Sequence, residues 1–220
     1  MKPALALFVK TPGLSPLKTR LARHIGAAQA EQFHILAARC VYEVTEAALV
    51  NQGGDGYFAV AEAKAQQHTL WQAWPTLWQG EGGLGLRMRH IYQHLLARHG
   101  AVLLIGADVP QVQPEVLTAA LAHLASPVPA YVYGPSDDGG FWLFGGNCPV
   151  PEALWIAVRY SQPDTGAQFL AGLPQAPVLL PVLNDVDEWP DLQHLRPTLD
   201  RLPCRVPAQQ QLLQWLENLT

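Results

Sequence analysis

The sequence contains little charge, few cysteines and no long hydrophobic run. Only 15% of its 220 residues are charged and the formal net charge is −4, so a broad basic surface for duplex DNA or an anionic membrane is excluded. The N-terminal apolar run, ALALFV, ends at Lys10, which makes it too short for a signal-peptide core or a membrane span. We therefore expect a soluble, unexported protein with neither nucleic acid nor membrane as a partner.

The few cysteines are also scattered. Cys40, Cys148 and Cys204 form neither a Cys-x-x-Cys pair nor a zinc-ligand spacing. An odd number of distant cysteines favours reduced thiols, which indicates a cytoplasmic protein. The 49% hydrophobic content is enough for one sizeable core, so we expect a single domain over residues 1–220.

What the sequence does contain is a series of short apolar runs that alternate with segments of helical periodicity. The predicted strands cover residues 4–9, 56–60, 76–79, 101–105, 130–134, 141–145 and 178–183, and the main predicted helices cover 26–49, 84–99 and 114–124. Several of these runs show no polar alternation, which is typical of strands covered on both faces. The pattern predicts an α/β fold with a mostly parallel sheet.

Polar clusters follow four of the predicted strands. They are the basic loop after residues 4–9, Gly106-Ala107-Asp108 after 101–105, Ser136-Asp137-Asp138-Gly139-Gly140 after 130–134, and Asn184 to Asp187 after 178–183. In an open parallel sheet, ligands bind beyond the carboxyl ends of the strands. We therefore expect these clusters to share one edge of the sheet.

The loop after the first strand, KTPGLSPLKTRL, concentrates positive charge. Ser15 and Pro16 make an N-cap and N1 pair, which predicts that a helix starts there with Lys18 and Arg20 in its first turns. Cations are unfavourable at that end of a helix, whereas its free N–H groups attract anions. This conflict favours a di- or triphosphate site formed by Lys10, Lys18 and Arg20 over a solvated basic helix. The loop does not match a Walker motif.

Two aspartates are candidate metal ligands. Asp108 directly follows a buried strand, with Gly-Ala before it and Val-Pro after it. Mg²⁺ typically takes one or two carboxylates and completes its shell with substrate phosphates. Asp187 is the predicted second ligand, with Asp185 as its substitute. An Asx turn or a helix cap would explain the same residues without a metal.

The segment 136–140 combines two carboxylates with two glycines. Glycine lets the backbone approach a ligand closely, so Asp137 and Asp138 are candidate site residues. Asp-Gly is also a strong hairpin signal. Both interpretations stay open, because a turn and a site can coexist.

Gly80-x-Gly82-x-x-Gly85 matches the dinucleotide-binding pattern, and Asp108 lies 23 residues beyond Gly85, near the spacing of a ribose-binding acid. The alternative function is therefore an NAD(P)-binding oxidoreductase. Against it, the preceding run TLWQ is short, and neither the basic loop nor segment 136–140 is then explained.

In this order, the segments FVKTPGLSPLKTRL, GLGLRM, LLIGADVP, YGPSDDGGFWLFG, RYSQPDT and NDVDEWPDL resemble a bacterial family of GT-A-fold proteins, the radical-SAM/selenodomain-associated transferases, also labelled glycosyltransferases. Guanylyltransferases of molybdenum-cofactor and deazaflavin-cofactor biosynthesis are wider relatives. The resemblance implies a three-layer α/β/α sandwich of the nucleotide-diphospho-sugar transferase type. It also implies that Lys10, Lys18 and Arg20 lie near the nucleotide phosphates and that Arg87 lies near the nucleotide.

By the same resemblance, Asp108 and Asp187 match the family's metal-binding positions, which implies Mg²⁺ or Mn²⁺ as cofactor. Gly13 of the basic loop joins the predicted phosphate-binding residues. The sequence departs from the family where many members have Trp-Ser-Thr, because residues 160–162 read Tyr-Ser-Gln. The final Asp-Val-Asp-Thr-Pro pattern also differs, as DVDEWP. The departure at residues 160–162 leaves the acceptor open.

The sequence thus predicts a Mg²⁺-dependent transferase that moves a nucleotidyl or glycosyl group from a nucleoside triphosphate or a nucleotide-sugar to a small acceptor. Lys18 would stabilise the leaving phosphates, and Asp138, or Asp137 in its place, would orient or deprotonate the acceptor. The single aspartate of Ala-Asp-Val-Pro resembles nucleotidyltransferases, whereas many glycosyltransferases of this fold have Asp-x-Asp there, so both transfers stay open. A catalytically inactive nucleotide-binding protein is the remaining alternative.

Overall fold

The computed structural model describes residues 2–219 and places seven strands of that range in one sheet. The strands are β1 (Ala4–Val9), β2 (Asp55–Val60), β3 (Thr76–Trp78), β4 (Val102–Gly106), β5 (Tyr131–Pro135), β6 (Phe141–Gly146) and β7 (Val178–Leu179). Their order is β3-β2-β1-β4-β6-β5-β7. β6 is antiparallel to β4 and to β5, and the other neighbours are parallel. The predicted mostly parallel α/β sheet is confirmed.

Helices cover both faces of this sheet. They are α1 (Thr19–Ile25), α2 (Ala27–Gln52), α3 (Leu84–His99), α4 (Pro114–Leu124), α5 (Glu152–Ala157), α6 (Thr165–Ala171), α7 (Trp189–Asp200) and α8 (Pro207–Glu217). α2 and α4 contribute to the core on one face, and α3, α5 and α6 contribute to the core on the other. The structure is thus a three-layer α/β/α sandwich. No helix within residues 2–219 combines the length and apolar content needed to cross a membrane.

β1 shows why the predicted strands lack polar alternation. Leu5 and Leu7 point into the core that α2 and α4 cover, whereas Ala4 and Ala6 point into the core that α3 covers. Because successive side chains of a strand alternate between faces, a strand covered on both faces must be apolar throughout. Each fully buried leucine contributes about 2 kcal/mol to the stability of the fold.

The strand directions bring four loops to one edge. β4 is parallel to β1, and β5 runs in the same direction as β4 because β6 is antiparallel to both. β7 is parallel to β5. The loops after β1, β4, β5 and β7 therefore leave the same edge of the sheet, as expected from the sequence.

The last strand is shorter than predicted. Only Val178 and Leu179 form the ladder with β5, instead of residues 178–183. The chain continues beside β5, where Leu183 N–H donates to the Pro135 carbonyl at 3.2 Å. Pro181 interrupts the ladder because proline has no N–H to donate.

A third apolar cluster joins α1, α2, α7 and α8 beside the main core. From α8, the buried side chain of Gln209 donates from Nε2 to the carbonyls of Pro110 and Val112, each at 2.9 Å. α8 therefore holds the chain directly after Asp108, a connection that the sequence did not predict.

The sheet order does not support the dinucleotide-binding alternative. The first two glycines of the pattern lie between β3 and α3, and the third lies in the first turn of α3. Asp108 instead follows β4, which β2 and β1 separate from β3. At about 4.8 Å per strand, β4 lies about 14 Å from β3. In a dinucleotide-binding βαβ unit the two strands would be neighbours and the acidic residue would reach the ribose.

Candidate functional site

Asp108 lies at the carboxyl end of β4, where the chain meets the loop that follows β7. The Asp108 carbonyl accepts a hydrogen bond from Val186 N–H at 3.0 Å, which holds Asp187 beside Asp108. The predicted metal ligands are therefore brought together, although 79 positions separate them in the sequence.

Lys18 lies between these two carboxylates. Its Nζ contacts Asp108 Oδ1 at 2.7 Å and Asp187 Oδ1 at 2.8 Å, and it donates a hydrogen bond to the Val186 carbonyl at 2.6 Å. Its side chain is only 5% exposed. We call Lys18, Asp108 and Asp187 the Lys18 cluster.

The electrostatics of the Lys18 cluster favour the charged forms. Burial lowers the pKa of Lys18, but the two carboxylates outweigh burial and the pKa lies above its ordinary value. Burial likewise raises the pKa of Asp108, but the Lys18 ammonium outweighs it and the pKa of Asp108 lies below its ordinary value. The cluster is therefore an ion-paired unit at neutral pH.

The predicted helix start at Ser15 is wrong, because α1 begins at Thr19. The Thr11 carbonyl accepts the N–H groups of Leu14 and Ser15, so these residues form a turn instead. Lys18 then adopts a left-handed conformation with φ 40°, which no α-helix can pass through. α1 has seven residues, and the expected anion site at a helix start near Ser15 is not formed.

The other basic-loop residues remain open to solvent. Lys10 is exposed at the end of β1, and the Arg20 side chain is 65% exposed with a single ion pair, at 3.4 Å, to Glu188. Gly13 has φ 76° and open space around it, so it serves the turn geometry. The three predicted phosphate-binding cations thus divide into one buried ammonium and two accessible groups.

Asp185, the substitute ligand, lies near Asp108 but is hydrogen-bonded to the loop after β5. Ser136 Oγ donates a hydrogen bond to Asp185 Oδ1 at 3.2 Å. Burial, followed by the charges of Asp108 and Asp138, raises the pKa of Asp185 to about 7. Asp185 is therefore only partly ionised at neutral pH, and Asp187 is the aspartate that joins Asp108.

Residues 136–140, which we call the Asp-Gly turn, connect β5 to β6 and confirm the predicted hairpin. Asp138 Oδ1 accepts the Gly140 N–H at 2.9 Å, so this carboxylate shapes the turn. Gly139 has φ 87°, and a Cβ there would collide with the Pro163 carbonyl oxygen. The Gly139 carbonyl accepts the Gly166 N–H at 2.8 Å. The turn is therefore fixed by backbone contacts to the start of α6.

The Asp-Gly turn presents its two carboxylates to solvent. Burial and the neighbouring Asp138 raise the pKa of Asp137, and both side chains belong to exposed residues. Asp138 lies close enough to Asp185 to affect its pKa. The turn is thus adjacent to the Lys18 cluster, at the edge where the sequence placed it.

Arg87 lies in the first turn of α3 and donates from Nε to the Gly82 carbonyl at 2.9 Å. The loop before α3 follows β3, which is three strand positions from β4. Arg87 is therefore not part of the Lys18 cluster but lies toward the other end of the same edge.

His34, which the sequence did not indicate as a site residue, lies in α2 and is 4% exposed. One of its ring nitrogens, Nε2, lies 2.9 Å from the Lys10 carbonyl and can donate to it. Burial lowers the pKa of His34, and the charges of Asp108 and Lys18 both act on it. The sequence signal that could have identified His34 is the presence of a histidine among the core-facing positions of a predicted helix.

The residues of this site can hold a divalent cation only if a bound ligand completes the coordination shell of the metal ion. Asp108 Oδ1 is buried and, among residues 2–219, accepts no well-aligned hydrogen bond, although its ion pair with Lys18 is short. No group of three or more His, Cys, Asp or Glu side chains in that range is arranged to hold a metal. Two carboxylates completed by phosphate oxygens are a Mg²⁺-type donor set.

Comparisons with known proteins agree with this architecture. The family model described as "Uncharacterized protein conserved in bacteria (DUF2064)" matches residues 44–162. No curated protein sequence matches the chain. A provisionally named nucleotide-diphospho-sugar transferase from Desulfovibrio desulfuricans G20 is 24% identical, with a TM-score of 0.84 over 100% of this chain and 97% of that chain.

Two more distant structures share the fold. The first is CMP:2-keto-3-deoxy-manno-octonic acid synthetase complexed with CTP, with 12% identity, a TM-score of 0.56 and coverage of 91% of this chain and 99% of that chain. The second is a protein from Mycobacterium tuberculosis H37Rv in complex with manganese, with 15% identity, a TM-score of 0.50 and coverage of 88% and 97%. The architecture is thus that of nucleotide-diphospho-sugar transferases, the GT-A type.

Proposed function

The chain belongs to the DUF2064 family of bacterial proteins, and we propose that it is a transferase whose donor is a nucleotide. The observation that carries the proposal is the Lys18 cluster. It joins Asp108 of the β4 loop, Asp187 of the β7 loop and Lys18 of the β1 loop at the ligand-binding edge of the sheet. Structures of the same fold include one that is named a synthetase and complexed with CTP.

We further propose nucleotidyl transfer from a nucleoside triphosphate as the reaction. The β4 loop offers one aspartate, and the second carboxylate comes from another loop. Asp108 and Asp187 would hold Mg²⁺ or Mn²⁺, which supplies positive charge to the phosphates when bound. The accessible Lys10 and Arg20 would bind phosphate oxygens and stabilise the charge that develops on the leaving pyrophosphate.

The Asp-Gly turn would face the acceptor. Asp137 and Asp138 are exposed beside the Lys18 cluster, so either carboxylate is available to accept a hydrogen bond from an acceptor hydroxyl and to take its proton. The raised pKa of Asp137 makes its carboxylate a stronger base than that of an ordinary aspartate. Arg87, toward β3, would contact the far end of an extended nucleotide.

Glycosyl transfer from a nucleotide-sugar is the second candidate. It is favoured by the similarity over 100% of this chain to a protein named as a nucleotide-diphospho-sugar transferase. The same cations and carboxylates would then act on a departing nucleoside diphosphate. The two reactions differ in their products, which makes them separable.

A thermal-shift panel tests the proposal. Nucleoside triphosphates, nucleotide-sugars and NAD(P) are each added with and without Mg²⁺, and a donor is expected to raise the melting temperature more when Mg²⁺ is present. Asp108→Ala should abolish the Mg²⁺-dependent part of the rise in melting temperature. Glu217→Ala is the control and should keep it, because Glu217 is an exposed carboxylate at the end of α8. A shift with NAD(P) alone would contradict the proposal.

The product then identifies the reaction. With the stabilising donor and a set of small acceptors, release of pyrophosphate supports nucleotidyl transfer, and release of a nucleoside diphosphate supports glycosyl transfer. If neither appears with any acceptor while the donor still binds, the chain is a nucleotide-binding protein without catalysis.

A further inference from the structure

The Lys18 ammonium has the surroundings of a bound cation. Three oxygens converge on Nζ, those of Asp108 Oδ1 at 2.7 Å, Asp187 Oδ1 at 2.8 Å and the Val186 carbonyl at 2.6 Å. Two of these contacts are hydrogen bonds, to Asp187 and to the Val186 carbonyl, and the third is an ion pair with Asp108. An ammonium has three donors and no acceptor, so three surrounding oxygens leave little room for a phosphate oxygen at Lys18 while the arrangement lasts.

Two features of Lys18 are unfavourable when taken alone. Its backbone adopts φ 40°, a conformation that is unfavourable for a non-glycine residue by about 1 kcal/mol. Its side chain is 5% exposed, although a lysine normally keeps its ammonium in water. The ion pairs compensate for both costs, because burying a charge is tolerated only when it is paired.

We propose that Lys18 is a built-in cation that competes with a divalent metal ion for Asp108 and Asp187. This inference rests on the proposed function only in taking those two residues as the metal ligands. In the free protein Lys18 offsets part of the negative charge of the two carboxylates, so metal alone binds weakly. Metal and nucleotide bind together, because the phosphates offer the displaced ammonium new oxygens.

The competition follows from charge. A metal ion takes oxygen ligands at about 2.1 Å, so an ion on Asp108 Oδ1 would lie within about 5 Å of an ammonium that stays 2.7 Å from the same oxygen. At that separation two cations repel each other strongly in a partly buried site. The same carboxylate oxygens therefore hold either the ammonium or the metal ion.

Calorimetric titration with Mn²⁺ alone tests this directly. We expect Lys18→Met, which keeps a similar side-chain volume without the charge, to bind Mn²⁺ at least ten-fold more tightly than wild type. Arg23→Met is the matched control, because Arg23 is an exposed cation of α1 outside the Lys18 cluster, and it should bind Mn²⁺ as wild type does. Adding Asp108→Asn to Lys18→Met should remove the gain.

Equal or weaker Mn²⁺ binding by Lys18→Met would overturn the competition while leaving the proposed function intact. By contrast, if the Mg²⁺-dependent nucleotide shift is absent from wild type, the proposed function fails. The two failures are therefore distinguishable.

Wild-type crystals soaked in Mn²⁺ provide a test that does not depend on the folding of Lys18→Met. We expect no anomalous peak on Asp108 or Asp187 as long as Lys18 Nζ contacts them. An Mn²⁺ ion bound to Asp108 with Nζ still in its ion pair would overturn the proposal.

Discussion

Two pairs of aspartates lie at the same edge of the sheet, and different interactions hold them. Asp108 and Asp187 share a buried ammonium from a third loop. Asp137 and Asp138 belong to the Asp-Gly turn, whose shape depends on backbone contacts. The comparison shows that a buried ammonium requires carboxylates around it, whereas carboxylates that face water require only a rigid turn.

Gly139→Ala should break the Asp-Gly turn and have the largest effect. A side chain at φ 87° is strained, and its Cβ would collide with the Pro163 carbonyl, so backbone must move. We expect a loss of at least about 3 kcal/mol in the free energy of unfolding, measured by urea denaturation. Gly13→Ala, which also has a positive φ but open space around it, should cost only about 1 kcal/mol. Equal losses would contradict the role of Pro163.

Asp108→Asn should break the Lys18 cluster. It replaces one of the two carboxylates around the buried ammonium by a neutral amide. We expect a loss of about 2 kcal/mol, less than for a fully buried pair because the Asp108 side chain is 40% exposed. Urea denaturation at neutral pH measures the loss. Unchanged stability would show that the ammonium moves into water without cost.

His34 makes the stability of the fold depend on pH. Burial holds the pKa of His34 below its ordinary value of 6.5, so the unfolded chain takes up a proton first as the pH falls. The contribution of His34 to stability is complete above its unfolded pKa and is lost as the pH falls through its folded pKa. We expect His34→Gln to reduce the wild-type loss of stability between about pH 7.5 and about pH 5.5 by about 1 kcal/mol.

Urea denaturation at both pH values measures that difference. His90→Gln, at an exposed position of α3, is the control and should follow wild type. Asp185, whose pKa is raised to about 7, has the opposite dependence, since a raised carboxyl pKa favours folding as the pH falls. Its effect is common to all three proteins and cancels in the comparison. Parallel pH profiles for wild type and His34→Gln would refute the assignment.

Asp137→Asn should have the smallest effect. Asp137 is exposed and its charged form is slightly disfavoured in the fold, so the free energy of unfolding should stay within about 0.5 kcal/mol of wild type. A loss comparable to that of Asp108→Asn would remove the distinction between the two pairs.

The sequence predicted the scaffold well because strand burial leaves a local signature. Apolar runs without alternation marked strands such as β1 and β4, and Asp-Gly at 138–139 marked the hairpin. It also predicted that Asp108 and Asp187 belong together, since the carboxyl ends of parallel strands meet at one edge.

The same reasoning could not predict the contacts or the backbone conformation of Lys18. Its partner Asp187 lies 169 residues away, so no local pattern indicates the contact. The left-handed conformation at Lys18 was equally hidden, because the usual signal for positive φ is glycine. Ser15 and Pro16 formed a valid helix-start pattern, but tertiary contacts determined where α1 begins.

The hydrogen bonds from Gln209 to the carbonyls of Pro110 and Val112 affect when this part of the protein can fold during synthesis. The chain that directly follows Asp108 acquires its last anchoring bonds from a residue 99 positions downstream of Pro110. A nascent polypeptide still on the ribosome can assemble the central strands while this anchor remains in the exit tunnel. Competence to bind a ligand should therefore appear only after Gln209 has left the exit tunnel.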